Sequence, residues 1–440
     1  MTLLWIRFKS SDSETQLGLK KTLANVLLNA AIAGFPVQVE HPAGGAQITS
    51  ITFGSFNICP VDHAVHGDFY SVTGAEIPAD AEMVFEGPAT VVRVVPDLVR
   101  PHWVFVTALP AVVPIGRTLV RLEAAGWTSD AVPVQVVSGP AVTARTLYPG
   151  APKDRPYTIA FVADPAIETE LGAFVADPVL TDRPGFHDAV GFSLRSLLTL
   201  TENLIQQNDR DRHLRFVAVF DATLAAEDPN ALAHEVAPNL MEPRRNRLNA
   251  FLSRYGETAD VVLVFHGSTT HDRARASATT DDTAGPGTDY TYGGNVRQHR
   301  HFPSIPGSAA LSIGMDRTGL TPLHEFGHAA GDFDSGRVVD LYVDGTPGPI
   351  VVNKKFRPQN TDPVPGAFAN YNGTNVLSDP NRDSLGYPAT WKSYHPEPVD
   401  ATRPNAMDNF WQTFDDPQLC RLDRLTYAWL TDRLGAKLLR

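Results

Sequence analysis

A multidomain chain that ends in an α/β domain is what this sequence predicts, and three observations predict it. The length of 440 residues exceeds one ordinary core, because domains run to roughly 100–200 residues. Short alternating runs broken by Pro, Gly and Asp fill residues 75–138, the pattern of a β-sandwich. Beyond residue 155, dense runs of Val, Ile, Phe and Ala alternate with helical patterns, as strands covered on both faces by helices require. With 43% hydrophobic and 20% charged residues there is enough apolar material for real cores.

The elements follow in order. Residues 3–8 read as a strand, and Ser13-Glu14-Thr15-Gln16 has capping-box spacing ahead of an apolar-periodic run that ends at Gly34. Alternation at 37–39 and 48–58 completes a small mixed α/β unit over residues 1–74. An immunoglobulin-like β-sandwich is expected over 75–140, with strands at 90–95, 103–108, 118–122 and 132–137, followed by a Pro- and Gly-rich linker at 138–156. The third domain, 155–440, is expected to open with strands at 157–163, 214–220 and 260–265 and helices at 187–205 and 243–255. The polar segment 267–289 reads as a surface loop, and 308–315 as a strand directly before a further helix.

Charge narrows the partners. Lys and Arg number 37 against 49 Asp and Glu, a formal charge of −12, which disfavours nucleic acid and anionic membranes and leaves proteins or peptides. Two cysteines, Cys59 and Cys420, exclude a disulfide scaffold. The amino terminus lacks the basic start and cleavage site of a signal peptide. The apolar stretch 23–35 is too short to cross a bilayer and contains Asn25 and Asn29. The expectation is a chain without membrane insertion, its compartment open and export by a non-classical route compatible.

Residues 321–334 read TPLHEFGHAAGDFD and contain H-E-x-x-H at His324, Glu325 and His328. On a helix, positions four apart share a face, so both imidazoles reach one zinc ion while Glu325 is placed as general base on the zinc-bound water. By chance such a motif arises in about 2% of chains of this composition, so its context matters. Gly331 lets the chain turn after the helix and bring Asp334 as third ligand, in the pattern H-E-x-x-H-x-x-G-x-x-D. Downstream, Pro404-Asn405-Ala406-Met407-Asp408-Asn409 is a tight polar turn around one methionine.

HEFGHAAGDFD, Asp340-Leu341-Tyr342, YNGTNVLSDPNRDSLGYPATWKSYH and the Met407 turn together resemble the IgA-peptidase-like family of metzincin-type zinc metallopeptidases. TIAFVADP and Tyr292-Gly293-Gly294 are similar in kind, and the resemblance spans about residues 155–435. It implies a zincin-like fold with a twisted sheet and an active-site helix, one catalytic zinc, and hydrolysis of peptide bonds in protein substrates. It also implies a Met-turn at Met407 and an edge strand, here 308–315, that binds extended peptide. In the family a D-E-Y triplet follows the helix sooner than Asp340 does here. Asp340 is therefore the alternative to Asp334, which the glycine turn favours, with Asp332 behind both.

Other residues offer further candidates. An oxyanion stabiliser is sought in Tyr371 or Tyr394, with Tyr394 retained. His299 and His301 lack carboxylate partners, Cys59, His63 and His66 lack a fourth ligand, and His266 ends a buried strand. No phosphate-binding loop or nucleophile elbow occurs in a suitable setting. Two rival classes remain. One is a catalytically silent scaffold that binds a partner, and the other is a zinc hydrolase of a non-peptide amide. The amino-terminal domains are expected to recognise a protein partner.

Overall fold

In the computed structural model the described residues comprise 37–40, 50–53, 58–150, 156–200, 211–237, 240–268, 274–277, 305–314 and 320–330. Short strands at 290–292, 295–297, 361–362, 375–377 and 392–395, and a few single positions such as Ala406, complete the set. The expected strand at 3–8 and helix ending at Gly34 lie outside the described residues. The chain divides into two compact units, Met1–Ala141 and Val142–Arg440.

In the first unit a two-stranded ladder joins Val37–Glu40 to Ser50–Phe53. Two sheets follow. One orders Ile58–Pro60, Tyr70–Gly74, Trp103–Val106 and Leu98–Arg100, all antiparallel. The other orders Ala64–Val65, Val132–Val137, Gly116–Ala124, Glu82–Glu86 and Val91–Val94. Their shared core takes alternate residues from each strand: Tyr70 and Val72, Val104 and Val106, Met83 and Phe85, Val120 and Leu122, Val134 and Val136. That period of two is what buries one face of a strand. The sandwich starts earlier than the residue-75 boundary expected from the sequence. Tyr70–Gly74 pairs with Trp103–Val106 in register from Tyr70↔Val106 to Thr73↔Trp103, and such non-local pairing leaves no local composition signal.

The second unit is built on a six-stranded sheet whose strands are β1 (Ala144–Tyr148), β2 (Tyr157–Ala163), β3 (Leu214–Val219), β4 (Val261–His266), β5 (Arg275–Ser277) and β6 (Gly307–Ser312). Their spatial order is β1-β3-β2-β4-β6-β5. β3, β2, β4 and β6 run parallel, and β1 and β5 close the edges antiparallel. Every residue of β2, β4 and β6 is buried, which is why β2 and β4 are dense in Val, Ile, Leu, Phe and Ala and β6 is built of small residues and one Leu.

Among the described residues three helices flank the sheet. α1 (Arg183–Thr199) starts four residues before the position expected, because the Asp182 side chain accepts from the Gly185 N–H at 2.9 Å and Pro184 suits the first turn. α2 is Arg245–Ser253 and α3 is Leu320–Ala330. On one face of the sheet, Ala160, Val162, Val217, Val219, Val262 and Val264 pack with α2 and a smaller sheet containing Ala166–Glu168 and Ala231–Ala237. On the other, Phe161 stacks with Phe216, and Phe186 of α1 meets Phe265 edge-on at 5.9 Å. α3 packs on α1, β6, β5 and β4.

Two expectations are corrected here. The segment 138–156 is not simply a linker, since β1 lies inside it and pairs with β3; its five residues are outweighed in the sequence by the flanking Pro and Gly. The strand before α3 is not an edge. β5 covers it from Ser308 to Ala310, drawn from the polar 267–289 segment that read as loop, and edge strands are commonly short and polar. Among the described residues no helix is long and apolar enough to cross a membrane.

Candidate metal centre

Thr321, His324, Glu325 and His328 fall at i, i+3, i+4 and i+7 of α3, so its polar groups lie on one stripe. The rest of the helix is apolar and buried, through Leu320, Leu323, Phe326, Ala329 and Ala330. Only Thr321 and His328 are half-buried. Packing against α1 and the sheet thus fixes the helix, and its two half-buried residues both lie on the histidine stripe. Pro322 is tolerated because its missing N–H belongs to a first turn that has no intrahelical acceptors.

His324 and Glu325 are buried, 7% and 6% exposed. The Nε2 atoms of His324 and His328 are 3.2 Å apart, with ring planes at 84°. Two nitrogens on a tetrahedral zinc, each about 2.0–2.1 Å from it, stand about 3.3 Å apart. The spacing therefore suits a shared cation as well as an N–H···N bond between the rings.

The second nitrogen of His324 decides its chemistry. Nδ1 lies 2.6 Å from the backbone carbonyl oxygen of Ala406. A carbonyl only accepts, so Nδ1 carries the proton and the neutral ring offers its Nε2 lone pair toward His328. This is the outer hydrogen bond that orients metal-ligating histidines. Donor chemistry, spacing and tautomer all fit zinc. Among the described residues no third His, Cys, Asp or Glu joins the pair.

Asp334, Asp340, Asp332, Met407, Tyr371, His299 and His301 lie outside the described residues. The Tyr394 backbone sits in the strand Lys392–His395, opposite Val376; its side chain is outside them. The segment singled out for Met407 does reach the site, through the preceding carbonyl of Ala406. Sequence reasoning missed that contact, because any residue type supplies a carbonyl. Elsewhere, His66 Nε2 is 2.8 Å from the Val113 oxygen and His63 Nδ1 is 2.8 Å from Asp62, so both rings are engaged outside any metal cluster. His266 is fully buried at the end of β4.

No known family profile and no curated protein matches the chain. Among solved structures, a Burkholderia mallei protein assigned provisionally to the carboxypeptidases overlaps at 9% identity and a TM-score of 0.17, covering 64% of this chain and 86% of its own. A metallo-carboxypeptidase of Burkholderia cenocepacia gives 9% and 0.18 over 64% and 88%. A Shewanella denitrificans protein assigned provisionally as carboxypeptidase A gives 10% and 0.18 over the same shares. Overlaps this slight establish no common fold, and the functional reading rests on the chain's own residues.

Proposed function

We propose that this protein is a zinc-dependent metalloendopeptidase of the metzincin type, similar to the IgA-peptidase-like family, that hydrolyses peptide bonds of protein substrates. The observation that carries the reading is the convergence of His324 and His328 through Nε2, with His324 held in the ligating tautomer by the Ala406 carbonyl. His324 and His328 hold the ion, Asp334 is the proposed third ligand with Asp340 as the alternative, and Met407, next in sequence to Ala406, is the proposed Met-turn residue. Zinc, when bound, supplies Lewis acidity that polarises a carbonyl and lowers the pKa of water.

Glu325 moves the proton. It follows His324 directly and precedes His328 by three residues, so it shares their stripe. As a carboxylate it accepts a proton from the water that attacks the scissile carbonyl. As the acid it returns that proton to the departing amine nitrogen, so the C–N bond breaks without expelling an anion. Tyr394 is proposed to donate a hydrogen bond to the developing oxyanion. A catalytically silent scaffold would have no use for a buried Glu325 beside the histidines.

The test combines metal analysis with cleavage of a generic protein substrate. The wild-type chain should bind one zinc and lose activity on chelation, and Glu325→Gln should keep the zinc while losing activity on the order of 10²–10⁴-fold. Undiminished cleavage by a zinc-loaded Glu325→Gln protein overturns the mechanism. Asp334→Ala should weaken zinc binding more than Asp340→Ala.

A further inference from the structure

The parallel strands reverse their spatial order between β2 and β4, the point in an open α/β sheet where functional groups gather beyond the carboxyl ends. Two carboxyl groups lie there, Asp164 just after β2 and Asp177, which is brought alongside by the pairing of Ala166 with Ala176. The Asp177 N–H donates to the Pro165 carbonyl at 3.3 Å. Asp164 is 0% exposed and Asp177 1%.

Between them they hold five backbone amides from four segments. Asp164 Oδ1 accepts from Leu232 at 2.9 Å and Ala166 at 3.3 Å, and its Oδ2 accepts from Ala233 at 3.1 Å. Asp177 Oδ1 accepts from Val179 at 2.8 Å and Gly267 at 2.7 Å. Asp177 Oδ2 is buried with no hydrogen-bond partner. An ionised carboxylate with one oxygen buried and undonated, beside a second carboxylate, is costly, and a proton removes that cost.

We propose that Asp164 and Asp177 hold one proton between them at neutral pH and form a proton-dependent staple that ties the carboxyl ends of β2 and β4 to the smaller sheet. The staple acts close to where the chain departs for α3. Gly267, which Asp177 grips, is flanked by two contacts between β4 and β6: the Ile313 N–H donates to the His266 carbonyl at 2.9 Å, and Ser312 Oγ donates to the Ser268 carbonyl at 3.1 Å. Burial pushes both carboxyls above the usual carboxylate range, Asp177 up to about 7, and at Asp164 the Asp177 charge adds to the effect of burial. Charged or titratable side chains on the surrounding elements are His266 on β4, Asp182 at the cap of α1, Arg183, His187, Asp188 and Arg195 on α1, and Glu168, His234, Glu235 and Glu242 on the smaller sheet. Of these His266 and His187 are buried.

The sign follows from linkage. A carboxyl whose folded pKa is raised stabilises fully below its unfolded value near 3.9, and that contribution is lost as pH rises through the folded value. One retained proton changes the unfolding constant by about tenfold per pH unit over that interval. The test is denaturant unfolding of the full chain between pH 5 and 8. Asp177→Asn keeps an oxygen for the Val179 and Gly267 amides and mimics the protonated acid, so its stability should fall with pH less steeply than wild type by one proton. An unchanged slope overturns the proposal. Infrared spectroscopy needs no variant: the wild type at pH 7 should show the carbonyl stretch of a protonated buried carboxyl, and its absence is equally fatal.

Discussion

His324 and His328 are chemically alike and physically unequal. The Nδ1 proton of His324 satisfies the Ala406 carbonyl within a buried contact at 2.6 Å, whereas His328 is half-buried. Truncating either ring removes a ligand nitrogen, so His324→Ala and His328→Ala should both abolish stoichiometric zinc binding. The former also strands the buried Ala406 carbonyl, at a cost of about 1–3 kcal/mol. Thermal unfolding measured with chelator present separates the two effects: the metal-free His324→Ala protein should melt well below the metal-free wild type. Equal melting would mean that the Ala406 contact contributes nothing. The motif residues were legible because the chemistry fixes both residue type and helical spacing. The Ala406 carbonyl was not, and neither were the backbone amides that Asp164 and Asp177 grip, because contacts across a fold leave no local pattern.

At the scale of elements, β2, β3 and β4 occupy segments that the sequence marks by their density in Val, Ile, Leu, Phe and Ala, since a strand buried on both faces needs such residues, whereas β6 is a run of small residues with Ser308 and Ser312. β1 and β5 escaped that reading. Each is a short edge strand, and edges tolerate the polar and turn-forming residues that otherwise signal loops. The connection leaving β1 shows how tightly such an edge is set. Gly150 has φ +76° and its missing Cβ would stand 2.7 Å from the Leu214 carbonyl oxygen at the start of β3. Both the left-handed backbone and the close approach require glycine. Gly150→Ala should therefore cost about 1–3 kcal/mol, read as a lower denaturant midpoint with an unchanged slope. Gly126, also left-handed at φ +75° but with open space where a Cβ would stand, provides the control. Gly126→Ala carries the backbone strain alone and should cost less.

Among the described residues each of the two compact units has a core of its own. The sandwich core centres on residues such as Phe85 and Leu122, and the sheet of the second unit encloses Phe161, Phe216 and Phe265. Each core is an independent source of cooperativity, so the chain should not unfold in a single two-state step. Calorimetry of the full chain is expected to resolve two transitions. Phe85→Ala, at a fully buried position, opens a cavity worth about 3–5 kcal/mol in the first unit alone and should lower one transition while sparing zinc content. Phe161→Ala should lower the other. Because a ligand stabilises only the unit that binds it, added zinc should raise the transition that Phe161→Ala lowers and leave the Phe85→Ala transition where it was. If both transitions instead move together in either variant, the two cores melt as one and the α3 histidines depend on the sandwich for their geometry.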